Sequence, residues 1–139
     1  MLNSNFKKSK IIYEEPLEGY SNYYTSNCPD GLLNVKRYKK VVVKDVYPGI
    51  DWVFKYDERW QLHHQFEVRE GADTSKIRFK VKWADVEIKE DGKQIFLSTP
   101  LGKIVDGKII SYEGAKKVDI RYKIKDGVIG YYVKNWSGK

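Results

Sequence analysis

Apolar and polar residues alternate with period two from about residue 38 to the end of the chain, and this pattern limits the fold more than any other feature. Successive side chains of a β-strand point to opposite faces, so period two buries one face of a pleated sheet, whereas a helix needs a repeat near 3.6. The clearest stretch, Lys76-Ile77-Arg78-Phe79-Lys80-Val81-Lys82-Trp83, predicts a half-buried strand with four apolar residues on one face and four cations on the other. Ile50, Trp52, Phe54 and Tyr56 share a face in the same way. So do Trp60, Leu62, His64, Phe66 and Val68, and then Val118, Ile120, Tyr122 and Ile124. Being in phase with apolar neighbours, Trp52, Trp60, Trp83 and His64 are expected at or near the core, with His63 outward.

Turn chemistry sets the lengths of these runs. Asp91-Gly92, Asp106-Gly107 and Asp126-Gly127 each lie between strand-like segments, and Asp-Gly supplies the positive φ of a type I′ hairpin turn. Three hairpins are therefore expected, joining strands near 86–90, 93–99, 102–105, 108–113, 117–125 and 128–134. Tyr47-Pro48-Gly49 predicts another turn, and Asp73 is placed to cap at most one helical turn after Gly71. The first 35 residues carry no sustained period. They read as an irregular, aromatic-rich segment in which Lys10-Ile11-Ile12-Tyr13 suggests a short strand ended by Pro16. The expectation is an all-β, mainly antiparallel sandwich or curved meander with little or no helix. It forms one domain over 1–139, with its strands over 36–135.

Composition bounds the function. A chain of 139 residues buries about two thirds of its unfolded surface and folds without staples. The lone Cys28 forms no internal bridge and no thiolate zinc site. No apolar run approaches the roughly 20 residues of a membrane helix, so membrane insertion is not expected, and no secretion signal follows Met1. The formal charge of +7 is concentrated toward both chain ends without a basic arm, which argues for solvated sheet faces and disfavours nucleic acid.

The candidate chemistry is sparse. His63 and His64 point to opposite faces of a strand and do not chelate one metal, so neither a metal nor a cofactor is expected. Asp51 and Asp73 follow turns and read as caps, Asp51 for amides near Pro48-Gly49; a carboxylate pair for glycoside hydrolysis is the third-ranked reading, and the chain is expected not to be an enzyme. Surface recognition is the better prospect. The outward row Lys76, Arg78, Lys80 and Lys82 is echoed by Arg121, Lys123 and Lys125, with cations about 6.6 to 6.8 Å apart along a strand. If both rows share a face they make an anion-binding surface for acidic polysaccharide or nucleic acid, the alternative function. Tyr20, Tyr23, Tyr24 and Trp136 are the aromatic residues placed for exposure, with Tyr23, Tyr24 and Trp136 the candidates for ligand contact.

Several motifs carry a family resemblance. Asn22-Tyr23-Tyr24 with Asn27 and Pro29, Asp45-Val46-Tyr47-Pro48-Gly49-Ile50-Asp51, Phe66-Glu67-Val68, Gly71-Ala72-Asp73, Thr99-Pro100-Leu101-Gly102 and Asp126-Gly127 resemble an uncharacterised domain of large bacterial surface proteins. In that family, found particularly in Bacteroidota, the domain precedes SBBP-type β-propeller repeats, PKD-like domains and a sorting domain. The likeness covers roughly residues 10–135 and departs at His63-His64 and Glu113. It implies an extracellular or cell-surface, non-catalytic structural or binding module whose partner is protein or glycan. Relatives begin with a further N-terminal β region, so this chain resembles the C-terminal portion of the domain. An edge left open by that difference predicts either self-association or a compensating cover from residues 1–25.

Overall fold

The computed structural model of the chain describes residues 1–134. Among these, every paired strand is antiparallel and the only helical pieces are two 3-10 turns, at Phe6–Lys8 and Thr74–Lys76. The protein is all-β. The described residues divide into two compact units, one of residues 5–69 and one of residues 1–4 with 70–134.

The unit of residues 5–69 is a four-stranded sheet in the order β1 (Ile11–Thr25), β2 (Cys28–Tyr47), β3 (Ile50–Tyr56), β4 (Leu62–Val68). Pro48 and Gly49, the latter at φ +76, make the tight β2–β3 turn, with Tyr47 facing Ile50. Val46, Ile50 and Val53 beside this turn are wholly buried. The segment expected to be irregular instead belongs to two long strands. Pro16 does not end β1, because β1 is an edge strand where a missing N–H breaks no ladder on its open side. Register shifts between Pro16 and Thr25, with positive φ at Glu15, Gly19, Gly31 and Asn34, break the period that sequence inspection seeks.

The second unit holds the remaining strands: β5 (Arg78–Phe79), β6 (Asp85–Lys89), β7 (Gln94–Thr99), β8 (Gly102–Asp106), β9 (Ser111–Glu113), β10 (Lys116–Val118), β11 (Ile120–Lys125) and β12 (Val128–Val133). Sheets β11-β12-β5 and β6-β7-β8 meet over Ile95, Tyr122 and Ile129, with Phe79, Val81, Val86, Ile88, Leu97 and Tyr131 packed around them. Asp126 (φ +52) and Gly127 (φ +71) form the two-residue β11–β12 turn, and Asp91-Gly92 lies in the β6–β7 turn. Asp106-Gly107 is not a hairpin. Neither residue has positive φ; Asp106 is held in the ladder opposite Ile95, and its carboxylate accepts the Tyr122 hydroxyl at 3.1 Å, so the chain leaves β8 extended.

The strand expected over 76–83 shrinks to Arg78–Phe79. Lys76 closes the 3-10 turn capped by Asp73, whose carboxylate accepts the Ser75 amide at 3.0 Å. Trp83 stands 92% exposed at φ +70, and Trp60 is exposed at φ +59 in the turn before β4; neither is core. Their alternation with apolar neighbours is real, but each tryptophan itself adopts a left-handed backbone conformation, which turns its ring away from the strand face.

Candidate functional site

The most distinctive element is the distal half of the β1–β2 hairpin. β3 pairs with β2 only from Lys40 to Tyr47, so residues 16–25 and 28–38 form a two-stranded ribbon roughly 33 Å long at about 3.3 Å per residue. Such ribbons are marginal alone, and this one carries its own braces. Arg37 donates to the Glu18 carbonyl at 2.9 Å, and the Asn34 amide donates to Asn22 Oδ1 at 2.9 Å. The Tyr24 ring lies across Gly31, where an added Cβ would come within 2.7 Å of it. Tyr20, Tyr23, Tyr24, Leu32 and Leu33 remain exposed on this arm. Tyr23 and Tyr24, singled out from sequence, are thus presented to solvent; Leu32 and Leu33 were missed because no regular period marks them. Trp136 lies outside the described residues.

A second aromatic group covers one face of β3 and β4. The pairs Trp52–Phe66 and Phe54–His64 are in register, with Trp52 and Phe66 rings stacked at 5.7 Å and 13° and Trp52–Phe54 at 4.4 Å. Trp52 Nε1–H donates to His64 Nδ1 at 3.3 Å. His64 is exposed and lies at the rim of this group instead of the core position its parity suggested. Phe6, from the first 3-10 turn, meets Trp52 edge-on at 6.5 Å. His63 points the other way and pairs with Asp57 at 2.9 Å. Asp57 also accepts the Gln61 and Arg59 amides. The Gln61 amide first, then His63, holds its carboxyl below the usual range.

Asp51 is the buried carboxylate, 3% exposed. It accepts the Asp45 amide at 2.8 Å, the Lys44 ammonium, and Arg69 Nη1 at 3.2 Å to each oxygen. Burial pushes its carboxyl up, but the Asp45 amide, Lys44 and Arg69 together outweigh this and hold it below the ordinary value. Asp45, not Asp51, caps the turn: its Oδ1 accepts the Gly49 amide at 3.3 Å and also pairs with Arg69. The arrangement clamps β2, β3 and the end of β4. Asp73 is likewise engaged, with Ser75 holding its carboxyl low. No group of three or more potential metal ligands occurs among the described residues.

The cationic rows separate into two sets. Arg78 on β5 and Lys123 on β11 both face Gly130 of the central strand β12, so they share the outer side of the β11-β12-β5 sheet. The Arg78 Cγ lies 3.6 Å from where a Gly130 Cβ would stand, and Lys80 Nζ lies 3.9 Å from the corresponding point on Gly127. Lys125 faces Val128, and Arg121 faces Tyr132. Arg121 is committed to Asp91 at 2.6 Å and to Asp119 at 3.3 Å, while Lys93 holds Asp119's carboxyl below its usual value. Lys80, Lys123 and Lys125 are exposed and without an ion-pair partner among the described residues. Lys76 and Lys82 fall on a 3-10 turn and a loop and do not join these strands.

Over residues 1–138 the chain matches the family described as Domain of unknown function (DUF7948), and it belongs to that family. Comparison with curated proteins and with solved structures returned no match.

Proposed function

We propose that this DUF7948 domain is a non-catalytic contact module of a secreted or cell-surface bacterial protein, with the β1–β2 arm as its contact element and protein as its partner class. The observation that carries this reading is the arm itself: a braced ribbon presenting Tyr20, Tyr23, Tyr24, Leu32 and Leu33 to solvent beyond the reach of β3. Exposed apolar side chains on an ordered scaffold, here with Tyr23 paired opposite Leu32, are a usual mark of an interaction surface, and tyrosine supplies contact area at low entropy cost. An edge strand such as β1 also offers unpaired backbone groups to a partner strand, a second copy of this chain included. The motifs shared with large surface proteins of Bacteroidota support the location and the neighbourhood of propeller and PKD-like domains. The engagement of Asp51 and Asp73 in local bonds supports a role in which this carboxylate pair does not act catalytically.

Photo-crosslinking tests the reading. A photoreactive side chain at Tyr24, introduced into the protein as its host displays it, captures a discrete protein partner, whereas the same group at Lys103 does not. Equal capture at the two positions, or capture of glycan alone, refutes the assignment of the arm to protein contact. Turnover of a polysaccharide or peptide that Asp51→Ala abolishes refutes the non-catalytic role.

A further inference from the structure

We infer that the outer face of the β11-β12-β5 sheet is a binding site for an acidic polysaccharide, a sugar polymer bearing carboxylate or sulfate groups, distinct from the β1–β2 arm. The face has two rails and a floor. Arg78 on β5 and Lys80, just past the end of β5 and beside Gly127, form one rail; Lys123 and Lys125 form the other, and Gly130 and Val128 of β12 lie between them. Rails on the two outer strands of a three-stranded sheet stand about 9.6 Å apart at roughly 4.8 Å per strand, and cations within a rail recur about every 6.8 Å. Gly130 lets the Arg78 stem lie close over β12, its Cγ 3.6 Å from where a Cβ would stand, so a polymer along β12 would rest on that stem with its acidic groups directed to both sides.

Charge complementarity selects the ligand class. Of the acids near this face, Asp91 and Asp119 are occupied by Arg121 and Lys93. Asp126 in the β11–β12 turn, though next to Lys125, forms no ion pair with Lys80, Lys123 or Lys125 among the described residues, so the three lysines keep a net positive face. Lysine ammonium groups act as point charges for carboxylate, sulfate and phosphate alike, so charge selects an anionic polymer and the choice between sugar and nucleic acid falls to the aromatic rings on the face. Bases of single-stranded nucleic acid need successive aromatic rings for stacking, and Tyr132 is the exposed ring that β12 contributes to this side. These features favour a sugar polymer over nucleic acid.

Heparin serves as the sulfated probe, polygalacturonate as the carboxylated one and oligodeoxythymidylate as the nucleic-acid arm. With about 0.7 counterion released per contact, three lysine contacts predict a roughly twentyfold loss of affinity between about 50 and 200 mM salt. Binding to at least one polysaccharide with this salt dependence is expected. The triple variant K80Q/K123Q/K125Q should lose at least about tenfold at the lower salt. K7Q/K8Q/K10Q, which removes the same charge elsewhere, should change affinity less than about threefold. Far-UV circular dichroism checks the fold of each variant, and K80R/K123R/K125R should retain binding. Equal weakening by both glutamine triples, unchanged binding in K80Q/K123Q/K125Q, or tighter binding of oligodeoxythymidylate than of either polysaccharide overturns the inference. Failure of the Tyr24 crosslink leaves it standing, because the two surfaces share no residue.

Discussion

Replacing Asp51 tests the physical account of the β2–β3–β4 clamp most directly. Breaking a fully buried ion pair costs about 3 to 5 kcal/mol, because the surviving partner is stranded without solvent. Here the partners are not stranded: the Lys44 and Arg69 side chains are 36% and 48% exposed and return to water when the carboxylate is removed. Each of those pairs is therefore discounted to about 0.5 kcal/mol. The Asp45 amide, part-buried and bonded to Asp51 at 2.8 Å, loses its acceptor for about 1 to 2 kcal/mol. Asp51→Ala is thus expected to destabilise by about 2 to 3 kcal/mol. Asp51→Asn keeps an acceptor for that amide and should cost about 1 kcal/mol. Urea unfolding by circular dichroism, with hydrogen exchange at the Val42 and Val53 amides, reads both values.

The pH dependence has a definite sign. The folded carboxyl titrates below its unfolded value, so its stabilisation is complete above about pH 4 and is lost as pH falls through the folded value. The gap between wild type and Asp51→Asn should narrow by at most about 1.4 kcal/mol per pH unit below that point. A loss under about 0.5 kcal/mol for Asp51→Ala at pH 7, or a gap that stays constant down to pH 3, would refute the reasoning.

Ile129 is fully buried between the two sheets of its unit, and Ile129→Ala should cost about 3 kcal/mol in urea unfolding. Trp83→Ser, despite removing the largest side chain type, should shift stability by no more than about 0.5 kcal/mol, because the ring is exposed. Gly31→Ala combines φ +78 with a collision against the Tyr24 ring; with about 1 to 2 kcal/mol of local strain, exchange protection of the arm amides should drop about tenfold while that of Ile129 stays unchanged.

The fold class was legible because two local signals agreed. Period-two runs placed β3, β4 and β11 close to their observed positions, the Asp91-Gly92 turn placed the start of β7, and Pro48-Gly49 and Asp126-Gly127 turned the chain where their backbone preferences require. Asp106-Gly107 carries the same dipeptide without the turn, since ladder pairing with Ile95 and the bond from Tyr122 outweigh a local preference worth about 1 kcal/mol. The arm was illegible for a different reason. Its bulges and left-handed residues shift the facing parity several times between Pro16 and Thr25, so no regular period survives in a strand whose ladder is nonetheless continuous enough to hold it.

The candidate surfaces divide in the same way. Residue type and spacing on one strand were enough to mark Lys123 and Lys125 as outward cations, whereas Tyr23 and Tyr24 were marked as exposed rings from a segment that read as irregular and that the structure places on β1. Only the pairing of β12 with both β11 and β5 placed Arg78 opposite Lys123, separated Lys76 and Lys82 from them, and put Asp91 and Asp119 against Arg121. Alternation is a property of one strand and is fixed by its covalent geometry. Which strands lie side by side depends on burying their apolar faces together, and that is settled between segments distant in sequence, so it leaves no local trace.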